Sequence, residues 1–231
     1  MFENGQIATT PAVRVEGLTV ERDGRRLFSD MSWALDRGQL LAITGPSGVG
    51  KSSLLSAVTG RLPAAAGRIF RPADQTSGII FQDLRLTKEL TVLTNVLCGG
   101  LGRMNWWSTL AGFSAPERER AFDVLSNLEI DHLCHKPVRK VSGGEQQRTA
   151  IARVLFQKPG LILADEPTAN LDLSLSERVM RSIRNECDTA GSSVICVLHD
   201  TEFVDRFADA ELRLGIQNEI GWEIRETERP K

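Results

Sequence analysis

The chain of 231 residues contains no tyrosine and only 3 histidines. It has 4 cysteines, Cys98, Cys134, Cys187 and Cys196, and no two of them form a C-x-x-C pair. That scatter argues against a disulfide or zinc framework and fits a reduced, cytosolic protein. His132 and His135 are separated from any clear set of further ligands, so they do not define a metal centre. Net charge is −2, which leaves no broad nucleic-acid footprint. No apolar run approaches the roughly 20 residues needed to cross a bilayer as a helix. The N-terminal Met1-Phe2-Glu3-Asn4-Gly5 lacks the pattern of a signal peptide. What is present is ample apolar material for a core, 41% of residues.

Residues 45–52 read Gly-Pro-Ser-Gly-Val-Gly-Lys-Ser. This is the phosphate-binding pattern G-x-x-x-x-G-K-S. It stands between an apolar run, Leu40-Leu41-Ala42-Ile43-Thr44, and a helical continuation, Leu54-Leu55-Ser56-Ala57-Val58. That is the strand–loop–helix setting the pattern needs. Gly45, Gly48 and Gly50 let backbone approach phosphate closely, with Pro46, Ser47, Val49 and Ser53 completing the loop and helix start. Lys51 is expected to reach the β- and γ-phosphates, and the Ser52 hydroxyl to sit on Mg²⁺. A second glycine turn, Ser142-Gly143-Gly144-Glu145-Gln146, also opens a helix. Each helix start offers unpaired N–H groups to an anion. One nucleotide has one triphosphate tail, so two such devices point to two copies of the chain sharing nucleotides. After the second turn, Ala150, Ile151, Val154 and Leu155 recur at helical spacing, while Gln146, Gln147, Arg148 and Arg153 mark a polar side.

Leu161-Ile162-Leu163-Ala164 is a continuous apolar run that reads as a strand buried on both faces, and it ends in Asp165-Glu166. In open parallel sheets ligands bind at the carboxyl ends of strands. Asp165 is therefore the expected Mg²⁺ partner, and Glu166 is placed to orient and polarise water. A third run, Val194-Ile195-Cys196-Val197-Leu198, ends in His199, the expected γ-phosphate sensor. Gly78-Ile79-Ile80-Phe81 is a further strand that ends at Gln82, whose carbonyl oxygen is a candidate ligand for Mg²⁺ or the attacking water.

With these motifs in this order, the chain resembles the ATP-binding subunits of ABC transporters from about Val13 to about Leu214. The matched positions are Walker A at 45–52, Gln82, the signature at 142–146, Walker B at 161–166, Ala169-Asn170-Leu171-Asp172 and the switch histidine His199. The resemblance implies head-to-tail dimers, with a second copy of the chain or a homologous subunit. ATP would lie between Walker A of one copy and Ser142, Gly143, Gly144 and Glu145 of the other. It also implies a separate integral membrane permease, peripheral attachment at the cytoplasmic face of the inner membrane, and a substrate-binding protein if the complex imports. There are departures. Arg22 stands where the family often has an aromatic residue stacked on adenine, and a guanidinium can take that place. Val141 stands where leucine is usual and Ser53 where threonine is common, and both changes are mild.

The implied fold is α/β: a P-loop NTPase (RecA-like) core with N-terminal antiparallel strands and an inserted α-helical subdomain. Residues 11–83 and 158–215 are assigned to the nucleotide-binding core, 84–157 to the helical insert, and 216–231 to a short tail. Within residues 81–112, the run from Phe81 through Leu97 and the aromatic stretch at Trp106-Trp107 resemble the ATPases of phosphonate importers. These tryptophans are candidates for the permease contact, since Trp contributes large area with a polar edge. The function so implied is an ATP-hydrolysing motor for import of phosphonate or a related small oxyanion. The alternative is the motor of an efflux, lipoprotein-release or cell-division complex. The DNA-repair relatives of this head separate its halves with long coiled coils or zinc modules, and neither is visible between Gln82 and Ser142.

Overall fold

The computed structural model describes residues 10–103, 112–216 and 221–227. Two sheets and a helical layer organise the chain. The first sheet is antiparallel, in the order β2-β1-β4, from β1 (Val13–Arg22), β2 (Arg25–Leu35) and β4 (Ala66–Phe70). β1 and β2 are joined at Asp23-Gly24, both at positive φ, a tight hairpin. The second sheet has the order β5-β6-β7-β3-β8-β9. Its members are β3 (Leu40–Thr44), β5 (Ser77–Ile80), β6 (Leu161–Asp165), β7 (Ser193–Val197), β8 (Ala210–Ile216) and β9 (Gly221–Glu226). All neighbours in it pair parallel except β9, which runs antiparallel to β8. This is the P-loop NTPase arrangement.

The apolar runs work because side chains alternate across a strand. Leu40 and Ala42, Ile162 and Ala164, and Val194 and Cys196 pack into one core with the helices. Their neighbours Leu41 and Ile43, Leu161 and Leu163, and Ile195 and Val197 pack into a second core with the antiparallel sheet. Every one of these side chains is at most 1% exposed. A fully buried side chain of this size contributes about 1.5–3 kcal/mol, so a strand apolar on both faces has one stable location, the middle of the stack.

The helices are α1 (Lys51–Val58), α2 (Val92–Cys98), α3 (Ala115–Asn127), α4 (Gly143–Gln157), α5 (Leu173–Ala190) and α6 (Thr201–Phe207). Five begin with a capping side chain; Thr91 accepts from Thr94 N at the start of α2 and Asp200 from Glu202 N at the start of α6. α3 and α4 open with capping boxes, Ser114 with Glu117 and Ser142 with Glu145. α5 is capped by Asp172, whose carboxylate accepts from Leu175 N at 2.9 Å, and it stops at Gly191 with φ 68°. α2, α3 and α4 pack together between β5 and β6 in sequence, as a helical insert.

One expectation needs correction. Residues 221–226 lie within the stretch assigned to a tail, yet they form the edge strand β9. The strand is held by pairing with β8, by packing of Trp222 into the second core, and by the Trp222 indole N–H, which donates to Ser29 O at 3.3 Å. These partners are remote in sequence, and the alternation of Trp222 and Ile224 with Glu223 and Arg225 is too short to set a strand by itself. The polar side of α4 is turned onto other segments of the chain. Gln147 is 7% exposed, Arg148 donates to Leu128 O at 2.8 Å, and Arg153 donates to the carbonyls of Arg85 (2.7 Å) and Leu84 (3.0 Å). Helical spacing identifies the face but not the backbone that covers it. Trp106 and Trp107 lie outside the described residues.

Candidate active site

β3, β5, β6 and β7 all end on the same edge of the sheet, because they are parallel neighbours. Gly45, Gln82, Glu166 and His199 follow those ends. The loop 45–50 leaves β3 and closes onto α1, whose N-terminus is Gly50 at φ 111° with no side-chain cap. The first amides of α1 are thus left for a ligand. Gly45 has φ 136°, and a Cβ there would lie 2.4 Å from Leu214 O. Only glycine lets β8 and the loop meet this closely. The same strand braces the loop's entry: Thr44 Oγ1 donates to Glu211 Oε1 at 2.6 Å. Glu211 is 1% exposed. Burial opposes its ionisation, but Thr44, Arg225 and Arg213 together outweigh that and hold its carboxyl below the ordinary value.

A cavity of about 560 Å³ lies over the loop, lined by Ser47, Gly48, Gly50, Lys51, Ser52, Ser53, Gln82 and Glu166, with Arg22 at its rim beside Asp23. Gly45, Pro46 and Val49 belong to the same loop, and Pro46 and Val49 line its outer side. Lys51 is 6% exposed, and its Nζ donates to Gly45 O (2.8 Å) and Pro46 O (3.0 Å). Burial lowers its pKa, with Glu166 and Asp165 only partly countering. Asp165 shows the opposite effect: burial raises its pKa against a hydrogen bond from the Ser52 hydroxyl, and the charge of Glu166 adds to the rise. Ser52 and Asp165 therefore offer two hard oxygen donors in contact, a set that fits Mg²⁺. Glu166 has φ 52°, and its Oε1 lies 2.7 Å from His199 Nε2.

Arg22 directs Nη1 to Ser53 Oγ at 3.5 Å and pairs with Asp23 at 3.6 Å, with 60% of its side chain exposed. Ser142, Gly143, Gly144 and Glu145 do not line this cavity. Glu145 turns back into the helix cap: its Oε2 accepts from Ser142 N at 2.7 Å, and this bond first of all lowers its pKa. Glu145 thus shapes the turn and leaves the amides of Gly143 and Gly144 outward. Sequence reasoning missed Gln147, whose Nε2 donates to Pro167 O (2.7 Å) and Glu166 O (3.3 Å). It also missed Glu211, for which a buried carboxylate inside an apolar strand was the only sequence signal.

A glycine loop feeding a bare helix start, a buried lysine, and carboxylates at the neighbouring strand end define a P-loop ATPase. The ABC transporter family matches residues 28–169, and the chain belongs to that family as one of its ATP-hydrolysing subunits. Among its relatives, the phosphonates import ATP-binding protein PhnC 2 of Nostoc sp. is 35% identical over 201 residues, covering 82% of each chain. That of Halalkalibacterium halodurans is 36% identical over 216 residues, covering 85% of this chain and 87% of the relative. Among solved structures, a dimeric ATP-binding cassette in a post-hydrolysis state, bound to ADP and Pi, superposes with a TM-score of 0.79. It is 26% identical and covers 93% of this chain and 98% of that one.

Proposed function

We propose that the chain is the motor of an importer for phosphonate or a related small oxyanion, acting through head-to-tail dimers on a separate membrane permease. Support for the substrate class comes from the relatives named above, which align over most of both chains. Support for the dimer comes from one observation: Lys51, Ser52, Gln82 and Glu166 converge on one cavity, while the signature turn presents its amides elsewhere. The turn then serves a nucleotide held by a partner.

In this reading Lys51 exchanges its two carbonyl partners for the β- and γ-phosphates of ATP, and the amides of 47–52 hold the remaining oxygens. The guanidinium of Arg22 stacks on the adenine. Ser52, Asp165 and Gln82 hold Mg²⁺, which when bound neutralises phosphate charge. Glu166 orients and polarises the attacking water, with its carboxylate fixed by His199, which also senses the γ-phosphate. Ser142, Gly143 and Gly144 close on the partner's γ-phosphate, and Glu145 keeps their turn in shape. Loss of that phosphate removes the contacts that hold the dimer shut. Among the described residues no helix is long and apolar enough to cross a membrane. Attachment to the cytoplasmic face of the inner membrane is assigned to the permease, and a substrate-binding protein joins indirectly.

The test is co-purification of a tagged Glu166→Gln chain from its native membranes in mild detergent with ATP. A multi-span permease, with ATPase activity of the wild-type complex stimulated by phosphonate, is the expected result. A soluble partner or nucleic acid in its place overturns the transport reading.

A further inference from the structure

The signature helix reaches the catalytic strand end of its own chain. Gln147 sits on α4 behind the Ser142 cap and is nearly fully buried. Its Nε2 donates to Pro167 O at 2.7 Å and to Glu166 O at 3.3 Å. The peptide it grips is an unusual one. Glu166 is a non-glycine residue with φ 52°, in the left-handed region where a Cβ is disfavoured. Such a conformation persists only when its surroundings over-determine it. Two donors meet at the Glu166 carbonyl: Ala169 N at 3.1 Å from the following turn, and Gln147 from α4. The Glu166 carboxylate hangs from the backbone that these donors hold, so a displacement of that backbone moves it against its 2.7 Å contact with His199. The same helix abuts the next turn as well: a Cβ at Gly144 would lie 3.2 Å from Leu171 Cδ2.

We propose that Gln147 is a positioning residue for Glu166. Through it, each chain's signature helix holds the backbone of that chain's own water-polarising carboxylate. A shift of the signature turn onto a partner's nucleotide is thereby felt in cis, at the other active site. The inference rests on the reading of Glu166 given under the proposed function.

The test compares Gln147→Met, Glu166→Gln and the double variant in the full chain, by ATP affinity, single-turnover hydrolysis and thermal unfolding. Gln147→Met keeps the side-chain volume and removes the donor. It is expected to bind ATP within about twofold of wild type, because Gln147 does not line the nucleotide cavity. It is expected to hydrolyse ATP about 10- to 100-fold more slowly, the scale for a misplaced catalytic group. The decisive readout is non-additivity: added to Glu166→Gln, the substitution slows the residual reaction no further. An equal slowing in both backgrounds, or wild-type turnover for Gln147→Met alone, overturns the proposal. Gln147→Asn, which withdraws the amide by one methylene, gives the same comparison if the methionine variant does not fold. Rapid hydrolysis by Glu166→Gln alone would instead overturn the underlying reading of Glu166.

Discussion

His199 and Glu166 meet across neighbouring strand ends, with Nε2 of the histidine 2.7 Å from Oε1 of the glutamate. The contact exists because β6 and β7 are adjacent and parallel, pairing Asp165 with Val197. It holds the carboxylate over the nucleotide cavity without any ligand. Glu166→Gln is expected to keep ATP binding and to slow hydrolysis at least ~100-fold, the scale for losing such a group. His199→Ala leaves the carboxylate less constrained and is expected to slow turnover by about tenfold or more. Single-turnover assays with separately measured ATP affinities check both.

Lys51 is buried, and its two hydrogen-bond partners in this state are loop carbonyls. Lys51→Ala is expected to weaken ATP binding by about tenfold or more, since a charged hydrogen bond is worth about 1.5–3 kcal/mol. Isothermal titration measures this directly. Tight binding retained by the variant would remove Lys51 from the phosphate site.

Asp165 is a carboxyl whose pKa is raised by burial first, with Glu166 adding to it. A raised folded-state value means the folded chain holds the proton longer than the unfolded chain does. Stability from this group is present at low pH and is lost as pH rises from the ordinary aspartate value of 3.8 through the raised one. Asp165→Asn is therefore expected to stabilise the nucleotide-free chain at pH 7, by about 2–4 °C for ~1 kcal/mol in a domain of this size. The gain fades as pH falls through the carboxyl range. The same variant is expected to lose Mg²⁺-dependent hydrolysis. Thermal melts across pH 4–8, an interval chosen to span about the titration range of carboxyls, would reveal the trend.

Gly45→Ala places a methyl 2.4 Å from Leu214 O at a backbone φ of 136°. Neither strand can retreat, because Thr44 is paired with Arg213 in the ladder and bonded to Glu211. A loss of about 2–4 kcal/mol is expected, the range for combined strain and overpacking. Chemical denaturation measures it, with Gly48→Ala as comparison, since a Cβ at Gly48 meets nothing within 4 Å.

Leu84 and Arg85 follow Gln82 with φ 55° and 45°, and Arg153 binds both carbonyls. Arg153→Met is expected to lower stability by about 1–3 kcal/mol, from carbonyls left without their charged donor. Hydrogen exchange should quicken at the amides of 84–85 before it does in β6 or β7.

The site was legible where chemistry sits in short contiguous runs. The phosphate loop, the paired acids after a doubly buried strand, and the glycine turn at Ser142 each carry their geometry within about a dozen residues, the range of a single strand, turn or helix start. Gln147 was not legible. Its spacing on α4 sets it in line with Ala150, Ile151, Val154 and Leu155, on the core side, but only the approach of the 166–167 peptide supplies its partners. β9 was hidden for the same reason, since Trp222 and Arg225 gain their partners Ser29 and Glu211 from distant segments.

The sequence by itself determined the three buried runs, the turn that feeds α1, and the identity of the groups at each strand end. Alternating side chains and glycine-dependent torsions are local properties, and local properties survive in a linear reading. Only the tertiary structure decided which strand ends are neighbours. The order β5-β6-β7-β3 is what brings Gln82 and Glu166 to the cavity over Lys51, and what sets His199 against Glu166. Strand order is fixed by how two apolar faces are shared between the helices and the antiparallel sheet. No window of sequence contains that packing.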